Sequence, residues 1–139
     1  MTLAITPFLH VTADGGAWLP DASALVVADI HVGYARAARR RGGWLPMDAE
    51  SPARLAARLL AACVRVGASR LVIAGDLRHS TRDVDDAERA EVAELLATLR
   101  EALATVDVVS GNHDRGEPWA TSLVLGDVEV LHAPPDAPP

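Results

Sequence analysis

Three short apolar runs punctuate this chain: residues 23–29 (SALVVAD), 70–76 (RLVIAGD) and 106–112 (VDVVSGN). Each is the length of a strand and shows no alternation, so each reads as a strand buried on both faces. Residues 3–9 (LAITPFL) and the stretch around Val11 read as shorter strands, with a turn at Asp14-Gly15-Gly16. Between the runs the apolar period lengthens to that of a helix. Residues 34–41 fit a short helix broken at Gly42-Gly43. Ser51-Pro52 suits an N-cap and first helical position, and Gly67 suits a stop. Between them Leu55, Leu59, Cys63 and Val66 share one face. Asp85 and Glu88 have capping-box spacing for a further helix with a stripe of Val92, Leu95, Leu96, Leu99 and Leu103. Residues 121–125 and 128–132 predict a hairpin around Gly126-Asp127. Strands alternating with helices imply an α/β fold whose central strands are parallel, with right-handed crossovers.

A chain of 139 residues suggests one domain with a real core. Half of the residues are hydrophobic but only 4% are aromatic, so the core rests on Leu, Val and Ile. Trp18, Trp44, Trp119 and Cys63 are expected to serve packing. The net charge of −6 argues against a protein that coats nucleic acid by charge alone. It leaves room for a small phosphate site, and two divalent cations would offset most of it. The single cysteine excludes an intramolecular disulfide, and a cytoplasmic location is the simpler expectation. The start, MTLAITPFLH, lacks the basic region of a signal peptide. No apolar run nears the ~20 residues that span a bilayer, so no membrane association is expected.

Polar groups gather where the apolar runs stop. The first run ends in Asp29 and His31, and the second in Asp76 with His79 three residues on. The third ends in Asn112, His113 and Asp114, and the hairpin ends in His132. Sites in open α/β sheets form beyond the carboxyl ends of the strands. These groups should therefore converge although they span most of the sequence. Carboxylates, imidazoles and an amide oxygen suit a borderline divalent metal, and no thiolate takes part. Phosphate-ester hydrolysis often uses two metals bridged by a shared carboxylate, and Asp76, on the middle run, is the candidate bridge.

Asp29-Ile30-His31, Gly75-Asp76 and Gly111-Asn112-His113-Asp114, followed by a lone histidine after a strand, resemble the calcineurin-like metallophosphoesterase superfamily. VVADIHVGYA, ARRRGGWLP, IAGDLRHS and VSGNHD resemble more closely its small Mre11/SbcD-related branch, which includes ligase-associated DNA-damage-response endonucleases. The likeness covers roughly residues 20–133. It implies a layered sandwich with parallel central strands and a site at their carboxyl ends. It also implies two divalent ions, Mn²⁺ first and Fe, Zn or Mg as alternatives. By resemblance Asp29 and His31 would bind the first metal, Asp76 would bridge, and Asn112 and His132 would bind the second. His113 would face the substrate phosphate as general acid or donor, with Asp114 orienting it. The implied substrate is a phosphodiester, with DNA as one candidate. Family members finish on a Gly-His-x-His motif, whereas this chain stops at Pro139 with no histidine after His132. The single domain, residues 1–139, is therefore expected to be truncated at its C-terminus.

Several residues keep two readings. His79 either donates to a metal-binding side chain, contacts substrate or is polar loop. Arg36 and Arg40, in an arginine run after the first motif, either approach a phosphate backbone or form a solvated helix face. Two functions remain open as well. One is a metal-dependent phosphodiesterase of the DNA-repair nuclease kind. The other is a catalytically defective member that acts as a binding module or has no activity.

Overall fold

The structure is a computed structural model that describes residues 1–44, 51–81 and 84–132. The stretches 45–50, 82–83 and 133–139 lie outside the described residues, and the expected truncated end falls among them.

Six strands form one sheet in sequence order: β1 (Thr2–Thr6), β2 (Leu9–Thr12), β3 (Ala17–Leu19), β4 (Ala24–Val27), β5 (Arg70–Ala74) and β6 (Thr105–Val109). The first three pair as an antiparallel meander that joins β4. β4, β5 and β6 are parallel, as the alternation of strands with helices predicted. Parallel neighbours need long crossovers, and the helices supply them. α1 (Tyr34–Arg40) and α2 (Pro52–Val66) lie between β4 and β5, and α3 (Asp86–Ala102) lies between β5 and β6.

The sheet's period of two sorts its side chains into two layers. Leu25, Leu71, Ile73, Val106 and Val108 face α2 and α3, where Leu55, Leu59, Cys63, Val92, Leu95, Leu96 and Leu99 meet them. Ala24, Val72, Ala74 and Val109 face the other way, against Leu125 and Val130 of a hairpin, β7 (Leu123–Leu125) and β8 (Val128–Val130). The result is a layered α/β fold with helices on one face and a hairpin on the other. Among the described residues, no helix is long and apolar enough to cross a membrane.

The helix ends follow their sequence signals. Ser51 caps α2 by accepting the N–H of Arg54, and Gly67 ends it with φ +75°. Asp85 caps α3 by accepting the N–H of Glu88 at 2.8 Å. The reciprocal half of that capping box is absent, because the Glu88 side chain turns to the loop after β5. β3 was not foreseen. Its three residues make no recognisable run, and pairing with β2 and β4 decides them.

Candidate metal centre

Pairing continues past the strands as β4 and β5 run into their loops. Asp29 N–H donates to the Gly75 carbonyl at 3.1 Å, His31 N–H to Asp76 at 2.9 Å, and Val32 N–H to Leu77 at 2.7 Å. This ladder holds the two loops side by side in an unfavourable conformation. Asp29, His31 and Asp76 have φ of +57°, +51° and +52°, a left-handed region that costs an ordinary residue ~1–2 kcal/mol. Three such residues at one loop pair mark a place where the surroundings enforce backbone strain, as at functional sites.

The strained loops bring their side chains together. Asp29, Asp76 and His132 each offer one ligating atom, and these atoms lie within 4.8 Å of one another. Nε2 of His31 lies 4.0 Å from Asp29 Oδ1 and 3.9 Å from Asp76 Oδ2. Nε2 of His132 lies 3.4 Å from the same Asp76 oxygen. Asp76 is the central member by position, within 4 Å of both imidazoles, and is buried while Asp29 is exposed. Nδ1 of His132 sits 3.1 Å from the Ala74 carbonyl. Close packing makes this possible. Gly75 has φ +89°, and a Cβ there would stand 2.1 Å from Nδ1 of His132, a severe clash. A Cβ at Gly111 would collide with Asp76 in the same way. The glycines of the Gly-Asp and Gly-Asn-His-Asp motifs thus make room for ligands.

His113 is drawn in through its backbone, since its N–H donates to Asp76 Oδ1 at 2.8 Å. Its ring stands 4.7 Å from that of His31, nearly perpendicular, and its Nδ1 contacts the carbonyl of His79. Asn112 is exposed and lines a recess with His132, Gly111 and Trp119. Asp29, His31 and His79 line another, of about 540 Å³, with Tyr34, Leu55 and Arg58. The His79 imidazole is held below its ordinary pKa, first by burial and then by the charges of His31 and His113, with Glu88 opposing.

Asp114 makes other contacts than the orienting one that the resemblance implied. It is 1% exposed, and its oxygens accept the N–H groups of Gly111 (2.8 Å), Arg78 (3.1 Å) and Leu77 (3.4 Å). It fastens the loops after β5 and β6 together, while the His79 carbonyl orients His113. Arg36 and Arg40 line a recess with His79 and His113, but carboxylates already hold them. Arg36 meets Asp85 at 3.1 Å and Glu91 at 2.5 Å, and Arg40 meets Asp85 at 2.9 Å. Burial opposes the Arg36 charge, yet Glu91 and Asp85 outweigh it and hold its pKa above the ordinary value. These ion pairs tie both arginines to the acidic side chains of α3 and its cap.

Two positioning residues went unrecognised in the sequence. Arg78 is buried and donates to the carbonyls of His113 (3.0 Å) and Arg115 (2.7 Å) and to Glu117 (3.1 Å). Glu88 accepts from the N–H groups of His79 (3.0 Å) and Ser80 (2.8 Å) and from the Ser80 hydroxyl (2.5 Å). For Glu88 the one available signal was an acid on the buried stripe of its helix, four residues before Val92.

No family model matches the sequence, and no curated protein matches it. Among solved structures it is similar to the crystal structure of Pseudomonas putida nuclease MPE, at 26% identity and a TM-score of 0.58. The likeness covers 85% of this chain and 53% of that one, so the chain spans about half the length of the nuclease. The layered α/β fold is thus similar to that of a solved nuclease.

Proposed function

We propose that this chain is a metal-dependent phosphoesterase of the calcineurin-like kind that hydrolyses phosphodiester bonds, with DNA as its substrate class. The convergence of Asp29 and Asp76, both on strained loops, with His132 after the hairpin and His31 beside them carries the reading. The likeness to a solved nuclease supports a nucleic-acid substrate.

The donor chemistry fits a cation. A carbonyl only accepts, so the contact with Ala74 requires the proton of His132 on Nδ1 and leaves a lone pair on Nε2. In the neutral ring that lone pair faces a carboxylate oxygen at 3.4 Å, a contact that either a cation between them or a second proton on the ring makes favourable. Asp29, His31, Asp76, Asn112 and His132 would hold divalent ions, Mn²⁺ first, which supply Lewis-acid stabilisation of charge on a phosphate. His113 is fixed at Nδ1 by the His79 carbonyl. In its protonated form it carries a second proton at Nε2, free to pass to the leaving oxygen of a phosphodiester. Asp76 ties that acid to the metal ligands through the His113 N–H.

Hydrolysis of bis(p-nitrophenyl) phosphate with and without Mn²⁺ tests this function. Turnover should require the metal and fall at least 100-fold in His113→Ala, with Mn²⁺ binding retained. Turnover that is unchanged in the variant would remove His113 from the chemistry. A folded chain with no turnover on this ester or on DNA would favour the binding-module alternative.

A further inference from the structure

Beside the carboxylates lies a second cluster composed only of imidazoles. His31, His79 and His113 follow β4, β5 and β6 respectively. Their ring centroids are 4.7 Å apart for His31 and His113, 5.6 Å for His31 and His79, and 5.8 Å for His79 and His113. One ligating nitrogen from each ring lies within 4.8 Å of the other two. Nδ1 of His31 and Nδ1 of His79 are both buried without a hydrogen-bond partner. Leaving a buried polar atom unsatisfied costs ~1–3 kcal/mol, so both rings gain if these nitrogens meet a cation. The third ring is already oriented, by the contact of its Nδ1 with the His79 carbonyl.

The donor set selects a different ion from the carboxylate group. Carboxylates suit Mg²⁺ and Mn²⁺, whereas imidazoles suit Zn²⁺, Ni²⁺ and Cu²⁺. Three histidines with an open fourth position is a pattern that Zn²⁺ accepts. Nitrogens ~2.1 Å from one tetrahedral ion stand roughly 3.4 Å apart, so the rings must close by about an ångström, within reach of side-chain rotation. We propose that His31, His79 and His113 form a second cation site that takes Zn²⁺ or a similarly borderline ion. His31 stands at the boundary of the two groups, its Nε2 about equally far from Asp29 and Asp76. An ion held by the imidazoles engages both His31 and His113. If the phosphodiesterase reading holds, Zn²⁺ therefore suppresses Mn²⁺-dependent turnover.

The decisive measurement is binding, which needs no activity. Purified chain is dialysed against Zn²⁺ and, separately, against Co²⁺, whose visible bands are stronger in four-coordinate than in six-coordinate sites. His79→Ala and His79→Gln should each lose one bound Zn²⁺ and the four-coordinate Co²⁺ bands. Asp76→Asn should keep both. The hydrogen bonds of His79 to Val32, Glu88 and His113 use its backbone, so both variants retain them, and melting curves check the fold. Equal Zn²⁺ stoichiometry and spectra in wild type and both His79 variants would overturn the site, as would loss of all Zn²⁺ in Asp76→Asn. A chain that binds Zn²⁺ through His79 but hydrolyses no ester would uphold this site while defeating the proposed function.

Discussion

Gly75 packs against the side chain of His132, with no room between them for a Cβ. Two consequences of Gly75→Ala can be separated. Residue 75 has φ +89°, which costs alanine ~1 kcal/mol wherever it occurs. The new methyl also pushes His132 from Asp76. Gly116→Ala is the control, since Gly116 has φ +85° but nothing within 4 Å of its would-be Cβ. Both variants should melt lower than wild type. Only Gly75→Ala should lose Mn²⁺ affinity, by about tenfold or more, a scale typical of disturbed ligand positioning. Equal Mn²⁺ affinity in the two variants, measured by titration calorimetry, would take His132 out of the metal site.

Asp114 supplies the second prediction. Its buried carboxylate accepts three backbone N–H groups from two loops. Asp114→Ala leaves those donors unsatisfied and should cost about 3 kcal/mol in urea unfolding. Asp114→Asn retains one acceptor oxygen and should cost less. A loss below ~0.5 kcal/mol in the alanine variant would mean that water replaces the carboxylate freely.

How far the sequence revealed these roles follows from geometry. β4, β5 and β6 were readable because both faces of each are buried, giving runs such as Leu71 to Ala74. The strand ends were readable as a ligand set because parallel strands share one carboxyl edge. The role of Asp114 was not. Residues 112–114 form a 3₁₀ turn, in which successive side chains point about 120° apart. His113 can then face the site while its neighbour Asp114 enters the core. Arg36 and Arg40 sit four apart on one helix face, a spacing that suits a phosphate backbone. The acidic start of α3, 45 or more residues further on, decides otherwise, and no local pattern announces it.

Acid stability should depend on Asp85. Its pKa is held below the ordinary carboxylate range, first by the Glu88 N–H it caps, then by Arg40 and Arg36, with desolvation opposing. A depressed folded-state pKa stabilises the fold at pH values above the unfolded-state pKa of ~3.9. That contribution is lost as pH falls through the lower folded-state value. Asp85→Asn removes the titration. Melting temperatures of the variant and wild type should therefore converge below about pH 4 and separate above it, with wild type higher. Parallel curves from pH 3 to 7 would show that Asp85 adds nothing through its charge.

Glu88 separates the two proposed cation sites. Its three accepted hydrogen bonds all come from His79 and Ser80, and its side chain abuts Gly33, where a Cβ would stand 3.0 Å away. None of them involves Asp29, Asp76 or His132. Glu88→Ala should free the loop that carries His79, with a stability loss of ~2–4 kcal/mol for a buried charged acceptor. Zn²⁺ affinity, which needs His79 in place, should fall with it. Mn²⁺ affinity should stay within about threefold of wild type, because the Asp114 hydrogen bonds and the ladder between the loops of β4 and β5 still hold Asp76. Calorimetry with each ion on the same variant reads both effects. A parallel loss of Mn²⁺ and Zn²⁺ would mean that the two groups form one site, moved as a unit by the loop that Glu88 holds.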